Sequence, residues 1–286
     1  TDDVRIVYNE LYNASGQNYK PKDDCAVFNA LQDYGIIIFI KKYKQDEYNH
    51  HVLYYRINPR RVLENHNYIG IFNSKNIDKL IKKFNILIKT VSPFLPEFDS
   101  CNISRIDYCS NVELNDQAVI DSYINLLKRG YFPSKYTIKK YKNEKSKRNT
   151  LSKNGITITG NNGIEVTYYN KYRQLKEKNP KCRYIDNSKK IIRIEIRCFK
   201  KKVRHLTKKF KCTSASSFLK ESDIIGKYIF KHYANIFYGT GDFYKLTDIY
   251  SMIDKSSCKK KSKKLMKELV KSSATHSSLD RAFDIL

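Results

Sequence analysis

Ser104-Arg105-Ile106-Asp107-Tyr108-Cys109 and Ile192-Arg193-Ile194-Glu195-Ile196-Arg197 repeat one pattern, an arginine and a carboxylate two residues apart within an apolar run. Side chains of a strand alternate between its faces, so each copy predicts a strand with one charged and one apolar face. In the first, Arg105, Asp107, Cys109 and Asn111 point one way and Ile106, Tyr108 and Val112 the other. In the second, Arg193, Glu195 and Arg197 share a face, while Ile192, Ile194, Ile196 and Cys198 turn to the core. Laid in one sheet, the two strands bring an acid pair and its arginines together, a surface that can hold a divalent cation against a phosphate. The plainer reading of either copy alone is a solvated face with cross-strand ion pairs.

A third segment lies between them. Asn161-Asn162-Gly163 predicts a hairpin turn joining a strand near 155–160 to one near 164–171. Along the second, Ile164, Val166 and Tyr168 fall on the core side and Glu165, Thr167, Tyr169 and Lys171 on the polar side. Of the adjacent tyrosines, Tyr169 is therefore the one expected to share a face with Asp107 and Glu195. A phenol titrates at about 10 and attacks phosphorus only where a neighbour helps expose its phenolate. A structural or base-stacking tyrosine is the alternative.

Outward from these motifs, Gly35–Ile40 reads as a buried strand and 50–58 as a second, stopped by Pro59. Ile77, Leu80, Ile81, Phe84, Leu87, Ile88 and Val91 recur at helical spacing ahead of Pro93 and Pro96. Another helix is expected behind Asn115 as N-cap, ending at Gly130. Residues 136–149 read as a basic loop. Beyond Lys200 three helical stripes follow, with the run Lys259-Lys260-Lys261-Ser262-Lys263-Lys264. The pattern predicts an α+β fold: one mainly antiparallel sheet with helices on one face, in a domain spanning 1–200 with its motif-bearing core at about 50–200. A helical, basic domain at 201–286 follows.

The 286 residues carry 55 Lys+Arg against 29 Asp+Glu, a net charge of +26. Such a surplus is the footprint of a protein that meets a polyanion, nucleic acid first. Lys, Asn, Ile and Tyr are all abundant, as an AT-rich coding sequence also produces, so the 23 tyrosines carry no weight. Seven cysteines (25, 101, 109, 182, 198, 212 and 258) form no CxxC, which points to reduced thiols and a cytoplasmic setting. The longest apolar run, Ile36–Ile40, is far short of a membrane span, and the start lacks the plan of a signal peptide. The chain opens at Thr1 rather than Met, which leaves room for residues ahead of it.

Ile103-Ser104-Arg105-Ile106-Asp107-Tyr108-Cys109, Val166-Thr167-Tyr168-Tyr169-Asn170-Lys171-Tyr172 and Ile192-Arg193-Ile194-Glu195-Ile196-Arg197, in that order, resemble the three motifs of rolling-circle replication initiators of the phage gene II/X and Rep_trans type. Asn58-Pro59 with Val62-Leu63 resembles a strand end in the gene II-like members. The resemblance spans about 50–200 and implies an RRM-like or HUH-like sheet that nicks origin DNA. It implies Tyr169 as the nucleophile that stays joined to the 5′ end and frees a 3′-OH, and Asp107 and Glu195 as ligands of Mg²⁺ or Mn²⁺. Lys171, Arg193 and Arg105 would contact the phosphate or transition state. Two features depart from the family. There is no His-hydrophobic-His triplet, only the adjacent His50 and His51, either of which could complete the ligands, and Asn170 stands where an acidic residue often follows the tyrosine.

With Arg105, the further expected DNA contacts are Arg197, Lys139, Lys140 and Lys142, and Lys259, Lys260 and Lys261 in the helical domain, where Asp242–Ile253 could supply a recognition helix. The expected partners are origin DNA, single-stranded at the nick, with a host helicase and polymerase, and no membrane. Rival readings are a conjugative relaxase with the same chemistry, a non-catalytic nucleic-acid-binding protein that stacks bases on Tyr168, Tyr169 and Tyr172, and a ribosome-associated basic protein, which leaves the paired acids idle.

Overall fold

The computed structural model describes residues 6–7, 9–11, 13, 25–45, 48–63, 69–129, 135–142, 149–150, 152, 154–238 and 246–276. The sequence pattern predicts one sheet; among the described residues the chain builds two larger sheets and a two-stranded ribbon, all antiparallel, within an α+β architecture. In the first, β1 (Cys25–Phe28), β2 (Ile36–Gln45) and β3 (Tyr48–Ile57) pair in that order. The strands expected at 35–40 and 50–58 are β2 and β3, and they belong to this sheet rather than to the one that bears the motifs. Pro59 ends β3, since it has no amide to donate, and Asn58 caps the short α1 (Pro59–Val62) by accepting from the Arg60 and Arg61 amides at 3.2 and 3.4 Å. Helix α2 (Ile77–Lys89) buries Leu80, Phe84 and Ile88 in one cluster with Ile36, Ile38 and Ile40.

The second sheet is built from β4 (Arg105–Glu113), β5 (Tyr136–Ile138), β8 (Gly155–Gly160), β9 (Ile164–Asn170) and β10 (Ile191–Phe199), in the spatial order β4-β10-β9-β8-β5. Residues expected to form a basic loop thus supply an edge strand, because Tyr136-Thr137-Ile138 alternates well enough to pair with β8. After it, β6 (Tyr141–Lys142) and β7 (Asn149–Thr150) form a small ribbon, and the rest of that stretch, 143–148, lies outside the described residues. Helix α3 (Gln117–Arg129) is capped by Asp116, whose Oδ1 accepts from the Val119 amide at 2.9 Å, not by Asn115; its expected stop at Gly130 lies outside the described residues. Helix α4 (Lys171–Lys178) follows β9 directly.

Charged and apolar faces separate as the alternation predicts. Tyr108, Val166, Tyr168, Ile194, Ile196 and Cys198 are buried in a core shared with Val203 and Leu206 of α5 (Lys200–Lys209), Phe218 of α6 (Ala215–Lys220) and Ile225 and Ile229 of α7 (Ser222–Tyr238). Ile120 and Ile124 of α3 cover Ile192 on the same side. Each such side chain contributes about 1.5–3 kcal/mol by leaving water. The domain boundary expected near residue 200 therefore runs through one core: α5–α7 supply the layer that the sheet's apolar face requires. Beyond them, α8 (Leu246–Lys255) and α9 (Lys260–His276) are tied by Lys267 to Asp254 at 2.6 Å. The start of the expected recognition helix, 242–245, lies outside the described residues. No helix among the described residues is long and apolar enough to cross a membrane, and all seven cysteines are free.

Gly155 sits opposite Tyr169 in the β8–β9 pair. A Cβ there would overlap the Tyr168 carbonyl oxygen and lie 2.7 Å from Tyr169 Cβ, so backbone would have to move. Gly155→Ala is expected to cost about 1–3 kcal/mol, the range for overpacking. A lowered urea midpoint at unchanged slope is the expected reading; an unchanged midpoint would mean that β8 shifts freely.

Candidate active site

Strand register sets the predicted residues in three rows across the polar face. Thr137, Thr159, Glu165, Arg197 and Asp107 form the first row; Thr157, Thr167, Glu195 and Cys109 the second; Gly155, Tyr169, Arg193 and Asn111 the third. Asp107 and Glu195 thus sit on adjacent strands, but one row apart. Between them lies the Arg197 guanidinium: Nε is 3.5 Å from Asp107 Oδ2, Nη2 is 3.5 Å from Glu195 Oε2, and Nη1 donates to Glu165 Oε2 at 3.1 Å. Arg105 closes on Asp107 with two bonds of 2.8 and 2.6 Å, and Lys139 bonds Glu165 at 2.6 Å. Burial by itself would raise the Glu165 carboxyl, but the bonds from Lys139 and Arg197 outweigh it and hold it below the usual range.

Tyr169, as the alternation predicts, faces this lattice while Tyr168 is buried in the core. Its Oη donates to Glu195 Oε1 at 2.5 Å. Burial raises the phenol above its ordinary value, and the charge and hydrogen bond of Glu195 push the same way, against a smaller opposing pull from Arg193. The phenol is held protonated, with its proton already directed at a carboxylate.

The alternation places Lys171 on the polar side of β9, yet the strand stops one residue earlier. Asn170 ends it: its side-chain Oδ1 accepts from the Arg173 backbone amide at 3.1 Å as the N-cap of α4, and its side-chain Nδ2 donates to Gln117 Oε1 at 2.7 Å. The departure from an acidic residue after the tyrosine thus fills a capping role. Lys171 opens α4, buried, with Nζ 6.0 Å from the Tyr169 ring centre and 2.9 Å from Gln174 Oε1. Burial first, and then the charge of Arg193, lower it to about 8. A phosphate placed beside it would favour the ammonium and restore the pKa. Binding an oligonucleotide at pH 8.5 should therefore take up roughly half a proton or more, and affinity should fall as pH rises through about 8. Calorimetry in two buffers of different ionisation heat reads the uptake; Lys171→Met should abolish it, and an equal uptake in that variant would assign it elsewhere.

Arg193 is buried, its Nε donating to Asn111 Oδ1 at 2.8 Å and its Nη2 to the Ile69 carbonyl, which also accepts from Asn111 Nδ2 at 2.8 Å. Arg60 holds the next carbonyl, Gly70, at 2.5 Å. Ile69-Gly70 is thus strapped across the third row. Neither the strap nor the role of Glu165 shows in the residue pattern, although Glu165 carries the same alternating signal as Asp107 and Glu195.

The oxygen donors suit a hard divalent cation, but their arrangement does not: Arg197 occupies the position between Asp107 and Glu195. Among the described residues no group of three or more His, Cys, Asp or Glu could hold a metal ion. His51 is exposed on β3 of the other sheet, paired with Lys42, and the side chain of His50 lies outside the described residues. Of the outlying basic residues, Lys140 is exposed after β5, and Lys259, Lys260 and Lys261 are exposed at the start of α9. The Lys142 side chain lies outside the described residues.

A cleft of about 2420 Å³ runs between the two sheets and reaches this face at Arg105, Asp107, Lys171 and Arg193. Small-molecule pockets hold roughly 300–1,000 Å³, so this volume suits a polymer better than a metabolite. Its lining includes Arg56, Arg60, Arg61, Lys200, Lys201 and Arg204, against Asp107 and Asp223 as the acidic members. No family model, no curated protein and no solved structure matches the chain.

Proposed function

We propose that the chain nicks single-stranded DNA at a replication origin through Tyr169, as the resemblance of its three motifs to rolling-circle initiators implies. The observation that carries this is the 2.5 Å bond from Tyr169 Oη to Glu195 Oε1, beside Lys171 and Arg193 and at the end of a basic cleft. As the phenol proton passes to Glu195, Oη forms a bond to phosphorus and the bond from phosphorus to O3′ breaks. O3′ takes a proton from the Lys171 ammonium, which the neighbouring phosphate keeps in its charged form. The products are a 5′-phosphotyrosyl joint and a free 3′-OH, which a host polymerase, with a helicase ahead of it, would extend. Conjugative strand transfer would use the same steps. Mg²⁺ or Mn²⁺ at Asp107 and Glu195 would require Arg197 to swing away, so no step is routed through a metal. The basic α8–α9 segment, with Lys259, Lys260 and Lys261, is the proposed duplex-docking part.

The test is a covalent adduct. The protein is incubated with tiled single-stranded oligonucleotides from the DNA flanking its own gene, with and without Mn²⁺ or Mg²⁺, and any nucleotidyl-tyrosine is located by mass spectrometry. An adduct at Tyr169 is the expected result; tight binding with no adduct under any condition would overturn the reading. That second outcome corresponds to a non-catalytic nucleic-acid-binding protein, which one observation favours: every carboxylate of the lattice already has a cationic partner.

A further inference from the structure

The face of the first sheet that lines the cleft supplies no group to the chemistry above, and its composition is unlike an ordinary solvated face. The opposite face buries Ile36, Ile38 and Ile40; on the cleft face the register sets Phe39 beside Tyr54, Ile37 beside Arg56 and Lys41 beside Val52. The Arg56 guanidinium lies 4.8 Å from the Phe39 ring centre, and Lys41 Nζ 5.5 Å from that of Tyr54. Tyr43 is 45 % exposed and bonds Tyr54 hydroxyl to hydroxyl at 3.1 Å. Cross-strand aromatic pairs stabilise a sheet, which accounts for Phe39 and Tyr54 being neighbours. It does not account for a cation over each ring on a surface open to water.

We infer that this face is a second binding site, a platform for single-stranded nucleic acid on which bases stack against Tyr54 and the Phe39–Arg56 pair while Lys41 meets the phosphates. Aromatic rings flanked by cations on an open sheet suit that ligand: every base has a π-face, a guanidinium plane stacks as well as a ring, and the backbone is anionic. A duplex keeps its bases stacked on one another and cannot offer them, and an acidic peptide would leave the rings without a partner. Phe39, Tyr54, Arg56 and Lys41 line the same cleft as Lys171 and Arg193, so a strand lying on the platform leads to the polar face of the other sheet. The inference stands whether or not Tyr169 attacks phosphorus.

The chain contains no tryptophan, so Phe39→Trp and Tyr54→Trp each create a lone reporter. Both are made in the full chain and titrated with oligothymidylate, oligouridylate and a blunt duplex of equal length, with fluorescence anisotropy of labelled strands read in parallel. Stacking should quench the tryptophan emission on saturation with a single strand and leave it nearly unchanged with duplex; the tighter of the two single strands names the natural one. In the otherwise native chain, Tyr54→Ala and Arg56→Gln should each weaken single-strand binding by roughly tenfold, with circular dichroism checking the fold. Unchanged emission at saturating single strand, or equal quenching by duplex, would overturn the platform. Repeating the titration in the Tyr169→Phe background separates the two readings, since quenching there needs no cleavage.

Discussion

Tyr169→Phe should abolish nicking of a single-stranded oligonucleotide, by roughly 10³-fold or more, as loss of a covalent nucleophile does, while affinity for the uncut strand stays within about twofold. The substitution removes one oxygen. The ring keeps its place between Gly155 and Arg193 in the third row, and Glu195 retains its ion pair with Arg197 at 3.5 Å. Tyr168→Phe and Tyr172→Phe should retain activity, the first because it lies in the core. Loss of cleavage in Tyr168→Phe with cleavage intact in Tyr169→Phe would mean that the wrong tyrosine has been assigned.

Arg197→Met should lower stability and test the metal at the same time. Removing one partner of a buried ion pair costs about 3–5 kcal/mol; the Arg197 side chain is 29 % exposed, so solvent screening reduces this to about 2 kcal/mol. Asp107, Glu165 and Glu195 then face one another with less compensation. Millimolar Mn²⁺ should raise the thermal midpoint of this variant and leave that of the native chain nearly unchanged, because a cation that binds only the folded state stabilises it in proportion to its occupancy. Equal stabilisation of both would show that Asp107 and Glu195 take a metal with Arg197 in place.

What the sequence made legible was set by local alternation. Arg105, Asp107, Tyr169, Glu195 and Arg197 fall on one face because a two-residue period leaves no other arrangement once the strands pair. Three things needed tertiary information. Arg197, with nothing local to distinguish it from Arg105, proves to be the shared counter-ion of three carboxylates. Ile69-Gly70 crosses the site only because its carbonyls meet Arg193 and Arg60, and a backbone acceptor leaves no mark in a residue pattern. The break near Lys200 shows the opposite error: composition changes there, while the apolar stripe of α5 continues into the core that Ile196 and Cys198 begin.

The spatial order β4-β10-β9-β8-β5 also has a consequence in time. Arg105 at the start of β4 pairs with Phe199 at the end of β10, a closure that waits for nearly the whole intervening chain. A ribosome that has finished β9 has made Asp107 and Tyr169 but not Glu195, and the exposed apolar side of the unfinished sheet lacks α5–α7. Non-local pairing of this kind is slow and late. A nascent or truncated chain therefore holds Tyr169 without Glu195, and the cleavage proposed above would be confined to finished molecules.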